Sequence, residues 1–183
     1  MSRRLGRRPT APSSAVGRPL RPTSGRPASR LLELGPGDEA KVLGAAALFD
    51  HALSRRAVRA FLSDRRNLFL LAHDVGGRPI GFARGTVLGQ LHTARPQFFL
   101  YEIAVDGPSR RRGVGSALIR RLLRLGSARG FDELFVFTDD PANRAAHRLY
   151  RSTGGRTETE GERMYVYPLA RPVPRRGSRP RAG

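Results

Sequence analysis

Between residues 30 and 170 the spacing of apolar positions changes repeatedly, and each change predicts an element. RLLEL (30–34) is short and strand-like, and GPGD closes it with Asp38 placed to cap a helix. EAKVLGAAALF (39–49) predicts that helix. SRRAVRAFLSD (54–64) predicts a second, with Val58, Phe61 and Leu62 on one face. NLFLLAHDV (67–75) reads as a buried strand, GGRP as a turn and IGFARGTVL (80–88) as the returning strand of a hairpin. After the polar loop GQLHTARP comes QFFLYEIAV (97–105), a strand apolar on both faces and so expected to be central. A long amphipathic helix follows, with Val114, Leu118, Leu122 and Leu125 as its stripe and Gly130 at its C-terminal cap. ELFVF (133–137) predicts another central strand, NRAAHRLYRST (143–153) a helix and RMYVYPL (163–169) a last strand. The expected fold class is α/β: a mixed sheet flanked by about four helices, in the order β-α-α-β-β-β-α-β-α-β, around one core.

Composition changes this picture only at the ends. The chain of 183 residues carries a formal charge of +19. Of its 34 basic residues, 13 lie in residues 1–30 and 171–183, which hold no acid. That leaves 21 basic residues against 15 acids in between, a net of +6. Both ends are also rich in Pro, Gly, Ser and Thr, too poor in apolar side chains to offset the entropy of ordering. They are expected to be disordered tails around a single domain, 31–170, able to touch polyanions weakly and in a salt-sensitive way. No apolar run reaches a membrane span and no signal-like segment opens the chain, so no membrane contact and a cytoplasmic location are expected. Cysteine is absent, which removes thiolate nucleophiles and cysteine zinc sites. The histidines at 51, 73, 92 and 147 show no paired ligand spacing, so no metal is expected.

The most informative stretch is SRRRGVGSALIRR, residues 109–121. A strand ending at Val105, a turn, and then RRRGVGSA entering a helix gathers free backbone N–H groups at a helix N-terminus, where a phosphate is favoured. Gly113 and Gly115 would let an anion approach the backbone, and Arg110, Arg111 and Arg112 add charge for phosphate oxygens. The dinucleotide pattern fails because Leu118 stands where its third glycine belongs, and no G-K-[ST] follows for a nucleotide P-loop. Taken alone, the loop is equally a tight turn beside a solvated basic face.

Two motifs together go further. AVDGPSRRRGVGSAL resembles the R/Q-x-x-G-x-G/A acetyl-CoA loop of the GCN5-related N-acetyltransferases (GNAT), through Arg110, Gly113 and Gly115. NRAAHRLYRSTGGR resembles that superfamily's N-x-x-A-x-x-L-Y-x-x-x-G-F stretch through Asn143, Ala146, Leu149, Tyr150 and Gly154, with Gly155 in place of the usual aromatic. The resemblance covers roughly 31–170. It implies acetyl-CoA as co-substrate, with the pantetheine arm on backbone groups of Ile103, Ala104 and Val105 where strand 97–105 splays from 133–137. It also implies the pyrophosphate on the amides from Arg111 through Val114 to Ser116. The cofactor-binding set is then Ile103, Ala104, Val105, Arg110, Arg111, Arg112, Gly113, Val114, Gly115, Ser116 and Asn143, although helix capping alone would account for Asn143.

Direct acetyl transfer needs a neutral amine, donors for the oxyanion and a proton for the departing thiolate. Glu102 is the only acid inside FFLYEIAV, where partial desolvation would raise its pKa toward a general-base value. The competing reading is an acid satisfied by an arginine or a backbone amide. Family members place a base here that acts directly or through water. Tyr150 matches the family tyrosine that protonates the thiolate; otherwise it is a helix aromatic packed in the core. Glu102 and Tyr150 are thus the catalytic candidates.

On the acceptor side, Asp50, Asp139 and Asp140 stand near the expected rim and suit a polycationic amine, though a turn and a helix cap explain the last two. Residues 87–119 are similar to the type I aminoglycoside 3-N-acetyltransferases, through the long loop, the Tyr101-Glu102 pair and Gly107 two residues past Val105. The expected function is therefore acetyl transfer to a primary amine of an aminoglycoside or similar small polycation, with antibiotic resistance as its consequence and a homodimer as the family's frequent assembly. The rivals are acetylation of a protein or peptide amine, an arginine-tailed nucleic-acid-binding module, and a cofactor-binding sensor without turnover.

Overall fold

The computed structural model describes residues 29–138 and 143–156. The strand expected at 163–169 and both basic tails, apart from Ser29 and Arg30, lie outside them. Five strands form one sheet in chain order: β1 (Arg30–Leu34), β2 (Asn67–His73), β3 (Pro79–Leu88), β4 (Gln97–Val105) and β5 (Leu134–Phe135). The first four are antiparallel, and β5 returns parallel to β4. Only a crossover can make that last pairing, and helix α3 (Val114–Ala128) supplies it. Arg30, placed at the edge of the N-terminal tail by its sequence, already pairs with His73.

The sheet is covered on both faces, which explains why its strands read as nearly continuous apolar runs. Alternate residues of β2 part company: Leu68, Leu70 and Ala72 pack under α3, whereas Phe69 and Leu71 pack under α1 (Glu39–Gly44) and α2 (Arg55–Ser63). Val114, Leu118, Ile119 and Leu122 form the buried stripe of α3, and Leu125 lies at its edge. Helix α4 (Arg144–Ser152) leans on the same side through Leu149 and Tyr150. Gly130 follows α3 with φ of 71°, the left-handed turn expected at its end.

Three expectations are corrected. The helix at 39–49 is broken: α1 stops at Gly44, and Ala46–Leu48 forms a separate 3-10 turn. Glycine is a poor helix interior residue, and Phe49 turns extended to stack on Phe82 at 4.2 Å. Asp38 stands before α1 but does not cap it; its carboxylate accepts from the Gly35 N–H at 3.1 Å and pairs with Lys41. Strand β5 is only two residues long, because its pairing with β4 stops at Phe99–Phe135.

The ladder between β3 and β4 contains the feature that sets up the site. Gly85 faces Leu100 and Arg84 faces Glu102, so Tyr101 is an extra, unpaired residue: a β-bulge. Gly85 is required there, since a Cβ on it would lie 2.1 Å from the Phe99 carbonyl oxygen and 2.6 Å from the Phe98 ring. Gly85→Ala is therefore expected to lower the unfolding free energy by about 1–3 kcal/mol through overpacking, read from the urea midpoint at constant m-value.

Candidate active site

The bulge decides which way Glu102 points. Strict alternation would put it with Phe98 and Leu100, in the core beneath α3. The extra residue shifts the phase, so Ile103 and Val105 pack toward α3 while Glu102 and Ala104 turn to the α1–α2 side. Glu102 there lines a cleft of about 520 Å³ with Asp50, His51, Arg84 and Tyr101, walled by Phe49, Phe61 and Phe69.

Within the cleft, the Arg84 Nε donates to Glu102 Oε2 at 2.7 Å, and both side chains are partly buried. The guanidinium also lies over the Tyr101 ring, 4.5 Å from its centroid, and 5.8 Å from that of Phe61. The acid is thus held by an arginine, the alternative that the sequence left open. Arg84 itself was missed, although the signal that singled out Glu102 was present: it is the one charge within IGFARGTVL. His51 does reach the cleft, but His92 is not among its lining residues.

Beyond Phe99, β4 has no partner on the β5 side among the described residues. Asp106 N donates to Ile80 O on β3, so by alternation the Ile103 and Val105 backbone groups face that gap. The Val105 carbonyl is engaged there by Arg110 Nε at 3.1 Å. Arg110 therefore braces the loop through its Nε while remaining exposed, as are Arg111 and Arg112.

The loop itself is built by Asp106. Its carboxylate accepts from the Ser109 N–H at 2.8 Å and from Arg78 Nη1 at 2.6 Å, closing the 3-10 turn Gly107–Ser109. Arg111 (φ 59°) and Gly113 (φ 84°) are left-handed, and Gly113 caps α3 with no side chain to occupy its first N–H groups. Those of Val114, Gly115 and Ser116 have no acceptor within the helix, which is the donor set a pyrophosphate needs. Gly115 serves a second purpose: a Cβ there would meet the Leu149 side chain at 3.2 Å, so its small size also lets α4 close on α3.

On α4, Asn143 caps the helix by accepting from the Ala146 N–H at 3.1 Å. Burial pushes the Tyr150 phenol above its ordinary value, so it stays protonated at neutral pH. The structure thus gathers Asp50 and Glu102 around one cleft, and Ile103–Val105 with residues 110–116 at the adjacent strand end. Asp139 and Asp140 lie outside the described residues. Among the described residues no group of acids and histidines could hold a metal, and no helix is long and apolar enough to cross a membrane.

Comparison with known proteins gives a match to the acetyltransferase (GNAT) family over residues 40–154. Mycothiol acetyltransferase of Clavibacter michiganensis subsp. michiganensis (strain NCPPB 382) is 36% identical over 121 residues, 62% of this chain. This chain spans only 37% of that relative's length. An aminoglycoside acetyltransferase from an uncultured soil metagenomic sample, meta-AAC0020, solved in complex with sisomicin, superposes with a TM-score of 0.69 at 22% identity, over 79% of this chain and 97% of that one. AAC(6')-Iy in complex with the bisubstrate analog CoA-S-monomethyl-acetylneamine superposes at 0.63 and 22% identity, over 78% and 98%. At such identities these likenesses concern the fold. It agrees with the α/β class and the element order expected, as far as the described residues extend.

Asp106 supplies a pH test of the loop. Burial works to raise its pKa, but the Ser109 N–H and the Arg78 guanidinium outweigh it and hold the carboxyl below its ordinary value. With the folded value below the unfolded one, its contribution to stability is complete above about pH 4 and is lost as pH falls through the folded value. Asp106→Asn should therefore be less stable than the wild type at pH 6, and the two should converge toward pH 2, measured by denaturant titration.

Proposed function

The chain belongs to the acetyltransferase (GNAT) family, and we propose that it moves an acetyl group from acetyl-CoA directly to a primary amine held in the Glu102 cleft. The observation that carries this reading is the bulge at Tyr101. It turns a carboxylate into the cleft three residues before the strand opens onto the uncapped N-terminus of α3.

Acetyl-CoA supplies the activated acetyl group; the chain supplies everything else. The N–H groups of Val114 to Ser116 and the α3 dipole would bind its pyrophosphate, with Arg111 and Arg112 adding charge at the rim. Backbone groups of Ile103 and Val105 would pair with its extended arm, the Val105 carbonyl only if Arg110 releases it, while those of Ala104, also expected there, face β3. Glu102 would take the proton of the acceptor amine, directly or through water, so that its lone pair can attack. Tyr150, protonated at neutral pH, would return a proton to the departing thiolate. Asn143 fixes the start of the helix that carries Tyr150.

For the acceptor we propose an aminoglycoside or related small polycation. Supporting this are the sequence likeness to 3-N-acetyltransferases around the Tyr101-Glu102 pair and a fold shared with aminoglycoside acetyltransferases. The 3-amino group is the position that the sequence likeness favours. Asp50 lines the cleft as an acid suited to a cationic acceptor, and Asp139 and Asp140 complete that proposal. A cytoplasmic location, a homodimer and weak polyanion contacts through the tails belong to the same reading.

The test is thiol release from acetyl-CoA across aminoglycosides, polyamines and basic peptides. Release is expected with gentamicin-like amines, and Glu102→Gln should lower kcat at least a hundredfold while acetyl-CoA still binds. Tyr150→Phe should lower kcat by about tenfold or more. Saturable acetyl-CoA binding without release on any amine would overturn the proposal.

A further inference from the structure

Arg84 is placed where it can do more than hold an acid. Of its five N–H donors, the one on Nε is used by Glu102 Oε2. Among the described residues, neither its Nη atoms nor Glu102 Oε1 has a hydrogen-bond partner. Both side chains are partly exposed and line the cleft, and the guanidinium carbon lies over the Tyr101 and Phe61 rings, 4.5 Å and 5.8 Å from their centroids. The cleft therefore presents a carboxylate oxygen and a guanidinium donor side by side, beneath the aromatic walls of Phe49, Phe61 and Tyr101.

Resting on the reading of this cleft as the amine site, we propose that Arg84 and Glu102 form a two-point recognition site for a ring amino alcohol: an amine with a hydroxyl on the neighbouring carbon. Glu102 Oε1 accepts from the amine. An Arg84 Nη donates to the adjacent oxygen, and the aromatic rings cover the C–H face of the ring. The arginine also excludes. A second ammonium in place of the hydroxyl meets a like charge at close range, so a vicinal diamine is disfavoured by repulsion as well as by the lost hydrogen bond. Arg84 thereby selects which amine of a polyamine ring enters, through the atom beside it.

The experiment compares kcat/KM for four matched acceptors: trans-2-aminocyclohexanol, cyclohexylamine, trans-1,2-diaminocyclohexane and trans-2-aminocyclohexanecarboxylate. The wild type should favour the amino alcohol over cyclohexylamine by tenfold or more, with the diamine poorest. Arg84→Met should bring the amino alcohol and cyclohexylamine to within about twofold, and should raise the diamine relative to both. Arg84→Lys should keep part of the preference, because an ammonium donates but lacks the planar fork of donors. Unchanged KM for acetyl-CoA and an unchanged melting temperature would separate this from misfolding. Equal rates on all four rings in the wild type, or unaltered ratios in Arg84→Met, would overturn the two-point site while leaving acetyl transfer intact. A tenfold preference for the carboxylate would also overturn it, in favour of an amino-acid acceptor. No turnover of any ring amine, alongside none on the aminoglycoside panel, would overturn the underlying reading as well.

Discussion

One extra residue in a β-ladder governs the arrangement of this molecule. Tyr101 has no partner on β3, and accommodating it brings the Phe99 carbonyl so near Gly85 that no side chain fits there. The bulge inverts the facing of everything after it on β4. Ahead of it, Phe98 and Leu100 belong to the core beneath α3; after it, Glu102 and Ala104 belong to the opposite face. A bulge also bends its strand and increases local twist. Its position coincides with the end of pairing between β4 and β5, immediately past Phe99.

The two halves of the site follow from that single irregularity. On one face, Glu102 meets Arg84 across the ladder, and the pair sits in a cleft between the sheet and the segment that joins α1 to α2. At the strand's end, the edge left without a partner among the described residues runs into the Asp106 turn and then into the glycine-capped start of α3. In the proposed transfer, acceptor and donor would approach from opposite sides of one strand. Glu102 stands on a packed strand rather than a mobile segment, which favours a fixed geometry for it.

Arg84 complicates the simple picture of a desolvated base. A carboxylate that is bonded to a guanidinium on one oxygen is anchored and directional, and its other oxygen remains for a ligand. The same contact puts a positive charge inside the cleft proposed to take a cationic acceptor. In the proposed amine site this would make the cleft selective in what stands beside the amine, rather than uniformly attractive to any polycation.

Much of this was determined by the sequence alone. The order of elements, the helix stripe at Val114, Leu118 and Leu122, and the phosphate-type loop around Gly113 are all local patterns, fixed by periodicity and backbone chemistry within a few residues. So was the Asn143 cap. The splay of β4 from β5 came from the family resemblance, whereas the point where it begins, after Phe99 and Phe135, did not show in the periodicity. The break at Gly44 was legible only in part, since the glycine is local but Phe82, on which Phe49 stacks, is distant. The role of Arg84 was hidden for the same reason, since only cross-strand register brings it to Glu102. Above all, alternation along QFFLYEIAV puts Glu102 in the core, and only the tertiary structure turned it into the cleft. A bulge is a property of two strands and the glycine between them, and a period-two pattern read along one strand cannot contain it.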